Sequence, residues 1–463
     1  MISYWKNGSI MKDRTLSNTQ TLLEFLRESK RLTGTKEGCA SGDCGACTVV
    51  LVTLDGKDTL KYEAVNSCLM PAADLTGKAL ITIEDLADGD GLHPLQQAFI
   101  DHHASQCGFC TPGFILSALA LKKQGDNPDV KAIDQALGGN LCRCTGYSPI
   151  VKAVQLADCN QDRFTRFEGE LIDALRQLQT SISSVTGYHQ PTSLVELCDL
   201  KREYPDSVLL SGGTDWMLRV TQNLESVDTI ISTERVIDLQ QLTTNEGCWS
   251  VGAAVSLSRI KEHAKETGFK AFDHLLDRFA SQQIRNRATL GGSLGNASPI
   301  GDLAPLMLAL GAQLSLVSSH QTRSVEINQF FLGYKKTELK SDEVISQINF
   351  KVDEQAQVHF DKVSKRLDDD ISAVAVATHF IIREGRITSL RVGLGGMAAT
   401  PLLAQDVMTA FEGVAPSSIS LEQIVLALNE LAPLSDLRAS ADYRLKVCAG
   451  LIHNHLTCVE AKA

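Results

Sequence analysis

The sequence predicts a multidomain α+β protein whose parts follow in the order β-rich, helical, mixed α/β and α+β. Three observations predict it. At 463 residues the chain exceeds what one hydrophobic core holds. Its hydrophobic pattern changes from strand-like to helical near residue 87. Beyond about residue 187, strand-like runs alternate with Gly-rich loops and helical stretches. The chain is 43% hydrophobic and 21% charged, as ordinary globular proteins are. A net charge of -11 leaves no electrostatic footprint for nucleic acid.

In the first part, Ile2–Trp5 and Ser9–Met11 flank Lys6-Asn7-Gly8, and Asn-Gly is a strong hairpin signal. Thr21–Arg27 has helical apolar spacing, while Thr48–Thr53 and Ala79–Ile83 are strand-like by their β-branched content. In the second part, Thr111-Pro112 reads as an N-cap with Pro at the first helical position, opening a helix to about Leu121. Residues 161 to 187 are polar and weakly patterned and read as a linker, set at 161–183, with room for a helix. Toward the end, strands such as Ala373–Ala377 precede helical segments near 403–413 and 421–431. The apolar run Leu303 to Val317 is too short to span a membrane, and Met1–Gly8 lacks the apolar core of a signal peptide. These features predict a cytoplasmic protein, whose clustered thiols read as metal ligands.

Eight of the thirteen cysteines fall into two clusters. Cys39-x4-Cys44-x2-Cys47, with Cys68 further on, has the plant-type [2Fe–2S] spacing. Three ligands so close together need a tightly wrapped loop, and Gly38, Gly42 and Gly45 allow one. Zinc sites more often pair two C-x2-C units. The second set, Cys107-x2-Cys110 and Cys142-x-Cys144, sits where helices begin, so that free N–H groups and the helix dipole favour an anionic cluster. Thr111 and Thr145 each follow a ligand pair, which suggests matching halves. Spacing alone leaves zinc or a redox C-x2-C open here. Two Gly turns, Leu209-Leu-Ser-Gly-Gly-Thr-Asp215 and Thr289-Leu-Gly-Gly-Ser293, could aim N–H groups at a pyrophosphate, or could be plain backbone corners. Neither matches G-x-G-x-x-G, so a Rossmann site is not indicated.

The segments Cys39–Val49, Gln106–Gly113 and Gly139–Tyr147 resemble the molybdenum hydroxylase family. The second of these motifs is close to diagnostic, and the resemblance covers nearly the whole chain. It implies a β-grasp ferredoxin-like domain at 1–86 and a helical-bundle [2Fe–2S] domain at 87–160. A two-subdomain α+β FAD-binding domain at 184–355 and a C-terminal α+β flavoprotein domain at 356–463 would follow. The implied ligands are Cys39, Cys44, Cys47 and Cys68 for one [2Fe–2S] cluster and Cys107, Cys110, Cys142 and Cys144 for the other. The implied FAD contacts are Leu209, Leu210, Ser211, Gly212, Gly213, Thr214 and Asp215 in the first loop, and Thr289, Leu290, Gly291, Gly292 and Ser293 in the second. Phe279 and Asp302 match further flavin contacts, Val344 or Ile345 would pack on the flavin, and Lys362 would reach it. Two positions depart from the family. Ala40 stands where Gly is usual, a small penalty unless φ is positive, and Ser293 replaces an Asn common in the xanthine-oxidising branch.

Cys159, Cys198, Cys248, Cys448 and Cys458 lack ligand spacing and read as core or surface thiols. His102-His103 reads as a solvated helix face, and Asp368-Asp369-Asp370 as a charged turn before a strand. The resemblance implies an electron-transfer subunit without a hydroxylating residue of its own. Because the chain ends at Ala463, the molybdopterin site is expected on a large partner subunit, in a heterotetramer of two small and two large subunits. Fusion of both cluster domains with the flavin domain points to the xanthine-oxidising branch, with NAD⁺ as acceptor. There the partner would oxidise hypoxanthine and xanthine to urate, and electrons would pass through two clusters to FAD. The alternatives are the small subunit of an aldehyde, N-heterocycle or CO dehydrogenase-like relative, a stand-alone NADH-linked flavin and iron–sulfur reductase, and a zinc scaffold.

Overall fold

The computed structural model describes residues 1–14, 17–56, 58–87, 89, 91–125 and 127–458, in two compact units. The first contains Met1–Pro191, Asp206–Arg235 and Ala280–Ala288; the second contains Thr192–Pro205, Val236–Phe279 and Thr289–Ala463.

The first unit is organised by a mixed five-stranded sheet. Its strands run Ser9–Asp13, Ile2–Lys6, Ala79–Ile81, Thr48–Leu54, Leu60–Asn66 across the sheet. The predicted hairpin is present, with Lys6 paired to Ser9 and with Asn7 and Gly8 at φ 48° and 83°, the positive pair a tight two-residue turn needs. One face packs Ile2, Tyr4, Val49, Leu51 and Leu80 on Leu22, Phe25 and Leu26. The other packs Trp5, Val50, Val52 and Ile81 on the helices Thr111–Lys122 and Glu168–Leu178. Burial on both faces explains why Val49–Val52 is continuously apolar rather than alternating. A small parallel sheet orders Tyr188–His189, Ile230–Ser232 and Val208–Leu210.

The room for a helix within residues 161–183 is filled: Arg163–Arg166 and Glu168–Leu178 are helical, and Leu171, Leu175 and Leu178 bury against the sheet. One expectation is corrected here. Thr111 is not the cap of its helix: Cys110 occupies that position, and the Thr111 hydroxyl instead bonds Ser105 at 2.8 Å.

Asp162 secures the packed segment. It caps the helix through Thr165 N–H at 2.9 Å and receives Lys123 Nζ at 2.6 Å. His93 Nδ1 accepts the Leu95 N–H, so its Nε2–H donates to Asp162, 3.2 Å away. Burial alone would raise this carboxyl; the bonds from His93 and Lys123 overcome that and hold it down at about 2, against an ordinary 3.8. A depressed carboxyl contributes stability above its unfolded value, and that stability is lost as pH falls through the folded value. Asp162→Asn should therefore cost about 2–3 kcal/mol at pH 7, in a gap that narrows toward pH 3. Urea unfolding of both proteins at the two pH values reads it; an equal gap would refute it.

Besides a two-stranded sheet, Phe331–Gly333 with Lys336–Thr337, the described residues of the second unit form two larger antiparallel sheets. One orders Thr322–Glu326, Gln313–Val317, Val344–Lys351, Cys248–Gly252 and Leu242–Asn245, with Trp249, Phe269, Phe272 and Phe350 clustered beside it. The other is a meander of Ala356–Val363, Val374–Arg383, Arg386–Gly395 and Leu402–Leu403. Its face packs on Gln405–Phe411, Leu421–Ala427 and a helix the sequence reading missed, Ala441–Thr457. The apolar run becomes a buried helix, Leu303–Leu310, followed by the strand Gln313–Val317. Among the described residues no helix is long and apolar enough to cross a membrane.

Candidate redox-cofactor site

Three positive-φ residues, Ala40 at 53°, Gly42 at 83° and Gly45 at 65°, wrap the loop between Cys39 and Cys47. Asn66 Nδ2 ties Gly42 O at 2.7 Å. The turn Ser67–Leu69 brings Cys68 to Cys47, with sulfurs 3.3 Å apart. That exceeds the roughly 2.05 Å of a disulfide and suits two thiolates converging on one centre. Cys39 and Cys44 form the other pair. A Cβ at Gly38 would stand 2.7 Å from Cys44 Sγ, so that the backbone itself lies against the sulfur. Ser41 N–H donates to Cys39 Sγ at 3.3 Å. Within each pair one thiol is an acceptor and the other a donor. The bond from Cys44 pulls Cys39 down to about 4 and pushes Cys44 up. Likewise Cys68 lowers Cys47 and is itself raised. Buried paired sulfurs, backbone N–H donors and a glycine-lined approach fit a thiolate-held cluster.

The positive φ at Ala40 resolves the departure noted from sequence: its methyl group is strained there. Ala40→Gly should raise stability by about 0.5–1 kcal/mol, the relief of a left-handed residue less the added freedom of the unfolded chain. Thermal unfolding of the iron-loaded protein checks this; a lower midpoint would refute it.

The second set joins Cys110 to Cys142 and Cys107 to Cys144. Burial pushes Cys110 up to about 12. Cys142 is lowered despite its burial, by the Thr145 hydroxyl at 3.2 Å and the Thr145 N–H at 3.4 Å. Tyr147 Oη accepts the Cys142 N–H at 3.0 Å. Cys107 and Cys144 are exposed, and Phe109, Leu141 and Tyr147 are 48%, 49% and 41% exposed around them. Of the four, only Cys110 caps a helix, while Cys142 and Cys144 lie in the loop before the helix Ser148–Leu156; the N–H and hydroxyl donors on Cys142 fit the same kind of group.

The two sets meet. Leu141 N–H donates to Cys44 O at 3.0 Å, and Leu141 is bonded to Cys142. A Cβ at Gly113 would lie 2.2 Å from Gly45 O, so the loops touch through backbone.

The predicted flavin residues divide between the units. In the first, Leu209 and Leu210 end the strand Val208–Leu210, and Ser211–Asp215 form the turn after it. Gly212 and Gly213 have φ 72° and 83°; a Cβ on Gly212 would meet Arg287 O at 1.8 Å, and one on Gly213 would meet Leu69 O at 3.0 Å. Leu69 follows Cys68, so this turn lies against a segment of the first cysteine set. In the second unit, Thr289 caps Leu290–Asn296, its hydroxyl taking Gly292 N–H at 3.0 Å. Gly291 lies against Ala253 with no room for a Cβ, and Ile345 packs 3.8 Å from the Gly295 Cβ position. Ser293 lies in the same short helix and Phe279 ends the helix Lys270–Arg278, while Val344 and Ile345 open the strand Val344–Lys351. Lys362 Nζ pairs with Asp302 at 2.8 Å, both nearly buried, and also reaches Asp370 O at 2.9 Å. Backbone turns that exclude side chains fit a nucleotide phosphate.

Sequence reading passed over Asp74, Asn140, Gln283 and Arg287, all buried and all hydrogen-bonded at these loops. Asn140 lies inside the quoted segment Gly139–Tyr147, and Arg287 stands two residues before the Thr289 turn; nothing in the sequence signals Asp74. The cysteines set aside behave as read: Cys159, Cys198 and Cys448 are buried, and Cys248 and Cys458 are exposed. His102 and His103 do not form a helix face: they make the turn after the helix Pro94–Asp101, with His102 half-buried and His103 at φ 54°, while Asp369 lies in a turn at φ 48°.

Comparison with known proteins agrees with this geometry. The family described as 2Fe-2S iron-sulfur cluster binding domain matches residues 9–73, and [2Fe-2S] binding domain matches 82–155. FAD binding domain in molybdopterin dehydrogenase matches 180–350, and CO dehydrogenase flavoprotein C-terminal domain matches 359–459. The chain is 33% identical over 468 residues to xanthine dehydrogenase of Drosophila pseudoobscura pseudoobscura, covering 87% of this chain and 35% of that protein. It is 33% identical over 474 residues to xanthine dehydrogenase 1 of Arabidopsis thaliana, covering 86% and 34%. It thus spans about a third of the length of the curated relatives it matches. Among solved structures, quinoline 2-oxidoreductase from Pseudomonas putida 86 aligns with a TM-score of 0.53 and 28% identity, over 59% of this chain and 96% of that one. CO dehydrogenase from Oligotropha carboxidovorans shares the fold, with a TM-score of 0.55 and 23% identity over 59% and 97%.

Proposed function

Since the chain belongs to the molybdenum hydroxylase family through its iron–sulfur, FAD-binding and flavoprotein C-terminal domains, we propose that it is the electron-transfer subunit of a xanthine dehydrogenase. A molybdopterin-binding large subunit would oxidise hypoxanthine and xanthine to urate, and NAD⁺ would accept the electrons. The observation that carries this reading is the serial contact of the loops. The second cysteine set hydrogen-bonds the first through Leu141 and Cys44, and the first abuts the Gly213 turn through Leu69.

Cys39, Cys44, Cys47 and Cys68 would hold one [2Fe–2S] cluster and Cys107, Cys110, Cys142 and Cys144 the other. Gly212–Asp215, Thr289–Ser293, Phe279, Asp302, Ile345 and Lys362 would hold FAD. When bound, the clusters supply one-electron transfer and the flavin exchanges electrons singly or in pairs. The protein's own part is to orient, to shield and to set potential. Ser41 and Thr145 N–H groups stabilise thiolate charge, and burial of Cys47 and Cys68 excludes water. The exposed apolar rim of Phe109, Leu141 and Tyr147 around the second set supports docking of the large subunit there. The domain limits 1–86, 87–160, 184–355 and 356–463 belong to this proposal, as do a heterotetramer of two small and two large subunits and a cytoplasmic setting. Similarity to quinoline 2-oxidoreductase favours, as the second reading, a partner acting on another N-heterocycle.

The test is made on protein purified natively with its partners. Metal and flavin analysis comes first, then anaerobic xanthine followed by NAD⁺, with visible absorption recorded throughout. Iron and FAD whose colour is bleached by xanthine and restored by NAD⁺ would support the proposal. Iron and FAD without bleaching would move the substrate to another heterocycle or an aldehyde. Zinc without flavin would overturn it.

A further inference from the structure

Residues Ala280–Ala288 lie in the flavin-domain stretch of the sequence, yet they pack wholly within the first unit. Their side chains reach both loop junctions. Gln283 is fully buried, and its Nε2 donates to Asn140 Oδ1 at 2.8 Å and to Ser117 Oγ at 3.1 Å. Ser117 donates to the same Asn140 oxygen at 2.7 Å. With its oxygen doubly engaged, Asn140 turns its amide N–H toward Gly45 O, 3.0 Å away. The next peptide makes the Leu141–Cys44 bond. Gln283 therefore fixes the rotamer of Asn140, a side chain that clamps the two cysteine loops.

Asn286 continues the line, donating to Ala64 O at 2.8 Å on the strand that leads to Cys68. Arg287 completes it. Its Nη2 donates to Asp74 Oδ2 at 2.7 Å, its Nη1 to Glu234 Oε1 at 2.6 Å and its Nε to Gly212 O at 3.3 Å. Asp74 also receives Tyr188 at 2.7 Å and Ser232 at 3.2 Å, and Lys78 pairs with Glu234 at 2.9 Å. Two cations thus face two carboxylates in a buried site. Hydrophobic residues could fill such a site at comparable stability, so a retained buried ion network points to geometry rather than to stability. Only a planar fork engages Asp74, Glu234 and the Gly212 carbonyl together; a lysine offers a point charge.

We propose that Ala280–Ala288 is a positioning strap for the electron carriers. Gln283 sets the cluster-to-cluster junction and Arg287 sets the junction between the first cluster and the flavin loop. The proposal rests on the cofactor assignment above. Transfer between carriers falls steeply with distance and with each gap in the bonded path, so small shifts at either junction are felt in function.

The experiment uses natively purified protein with its partners, comparing wild type with Gln283→Leu and Arg287→Lys. The lysine retains the charge, which protects the fold. Three readouts are taken: iron and flavin content, the magnetic interaction between clusters by EPR after dithionite reduction, and flavin loss on dilution. Gln283→Leu should keep iron and flavin but alter the cluster–cluster interaction. Arg287→Lys should keep iron and that interaction but release flavin on the order of tenfold faster. Wild-type behaviour in both variants would overturn the strap while leaving the cofactor assignment intact. Loss of iron from both would also overturn it, reducing the segment to a folding element. Wild-type protein without iron and flavin would overturn the strap and the assignment together.

Discussion

Replacing Cys68 with serine is expected to halve the iron bound per chain and to stop electron flow between the second cluster and the flavin. Cys68 is 1% exposed, its sulfur lies 3.3 Å from Cys47, and it packs among Leu23, Leu69 and Met217. A serine hydroxyl is a poor substitute for a thiolate ligand, and its shorter bond to carbon draws it away from Cys47 and the Gly42 N–H that the sulfur reaches, so the fold should lose about 1–3 kcal/mol as well. Cys144→Ser offers the contrast. That residue is exposed, so its replacement should remove the second cluster and halve the iron without loosening the sheet. Metal analysis, the visible spectrum and thermal unfolding of both variants read these differences. Full iron in Cys68→Ser would remove Cys68 from the ligand set.

Lys362→Met is expected to destabilise the second unit by about 3–5 kcal/mol, because it strands a buried carboxylate. The side chains of Lys362 and Asp302 are 2% and 7% exposed, and Asp302 is also bonded by Ser372. The attraction of a buried pair roughly offsets its own desolvation, so removing both charges together is far milder than removing one. The double variant Lys362→Met with Asp302→Asn should therefore recover most of the loss. Urea unfolding of the single and double variants measures this. A single variant within about 1 kcal/mol of wild type would mean that the pair is solvated in solution. Flavin content of the same samples tests the proposed contact: if Lys362 touches FAD, neither variant should regain full flavin.

Much of this was legible along the chain, because the signals are local. Asn7-Gly8 specifies a hairpin through its positive dihedrals. Cys39, Cys44 and Cys47 advertise a cluster because one loop must supply three sulfurs. Gly212 and Gly213 mark a turn with no room for side chains. Where reading failed, competing signals hid the pattern. Thr111-Pro112 imitated a cap that Cys110 provides, and the polar residues between Leu171, Leu175 and Leu178 left room for a helix without revealing its buried stripe. The missed helix Ala441–Thr457 carries Arg444, Cys448 and His455 among its buried residues, so its inward face did not read as apolar.

By itself, then, the sequence nominated the residues proposed to carry the chemistry, since ligand spacing, turn dihedrals and strand composition act within a few residues of one another. Only the tertiary structure decided how those residues are joined in series. The Cys44–Leu141 hydrogen bond, the Leu69–Gly213 approach and the Arg287 network link positions far apart along the chain. Such contacts form because packing closes backbone onto backbone and buries charge against charge, and neither leaves a period or a motif to be read.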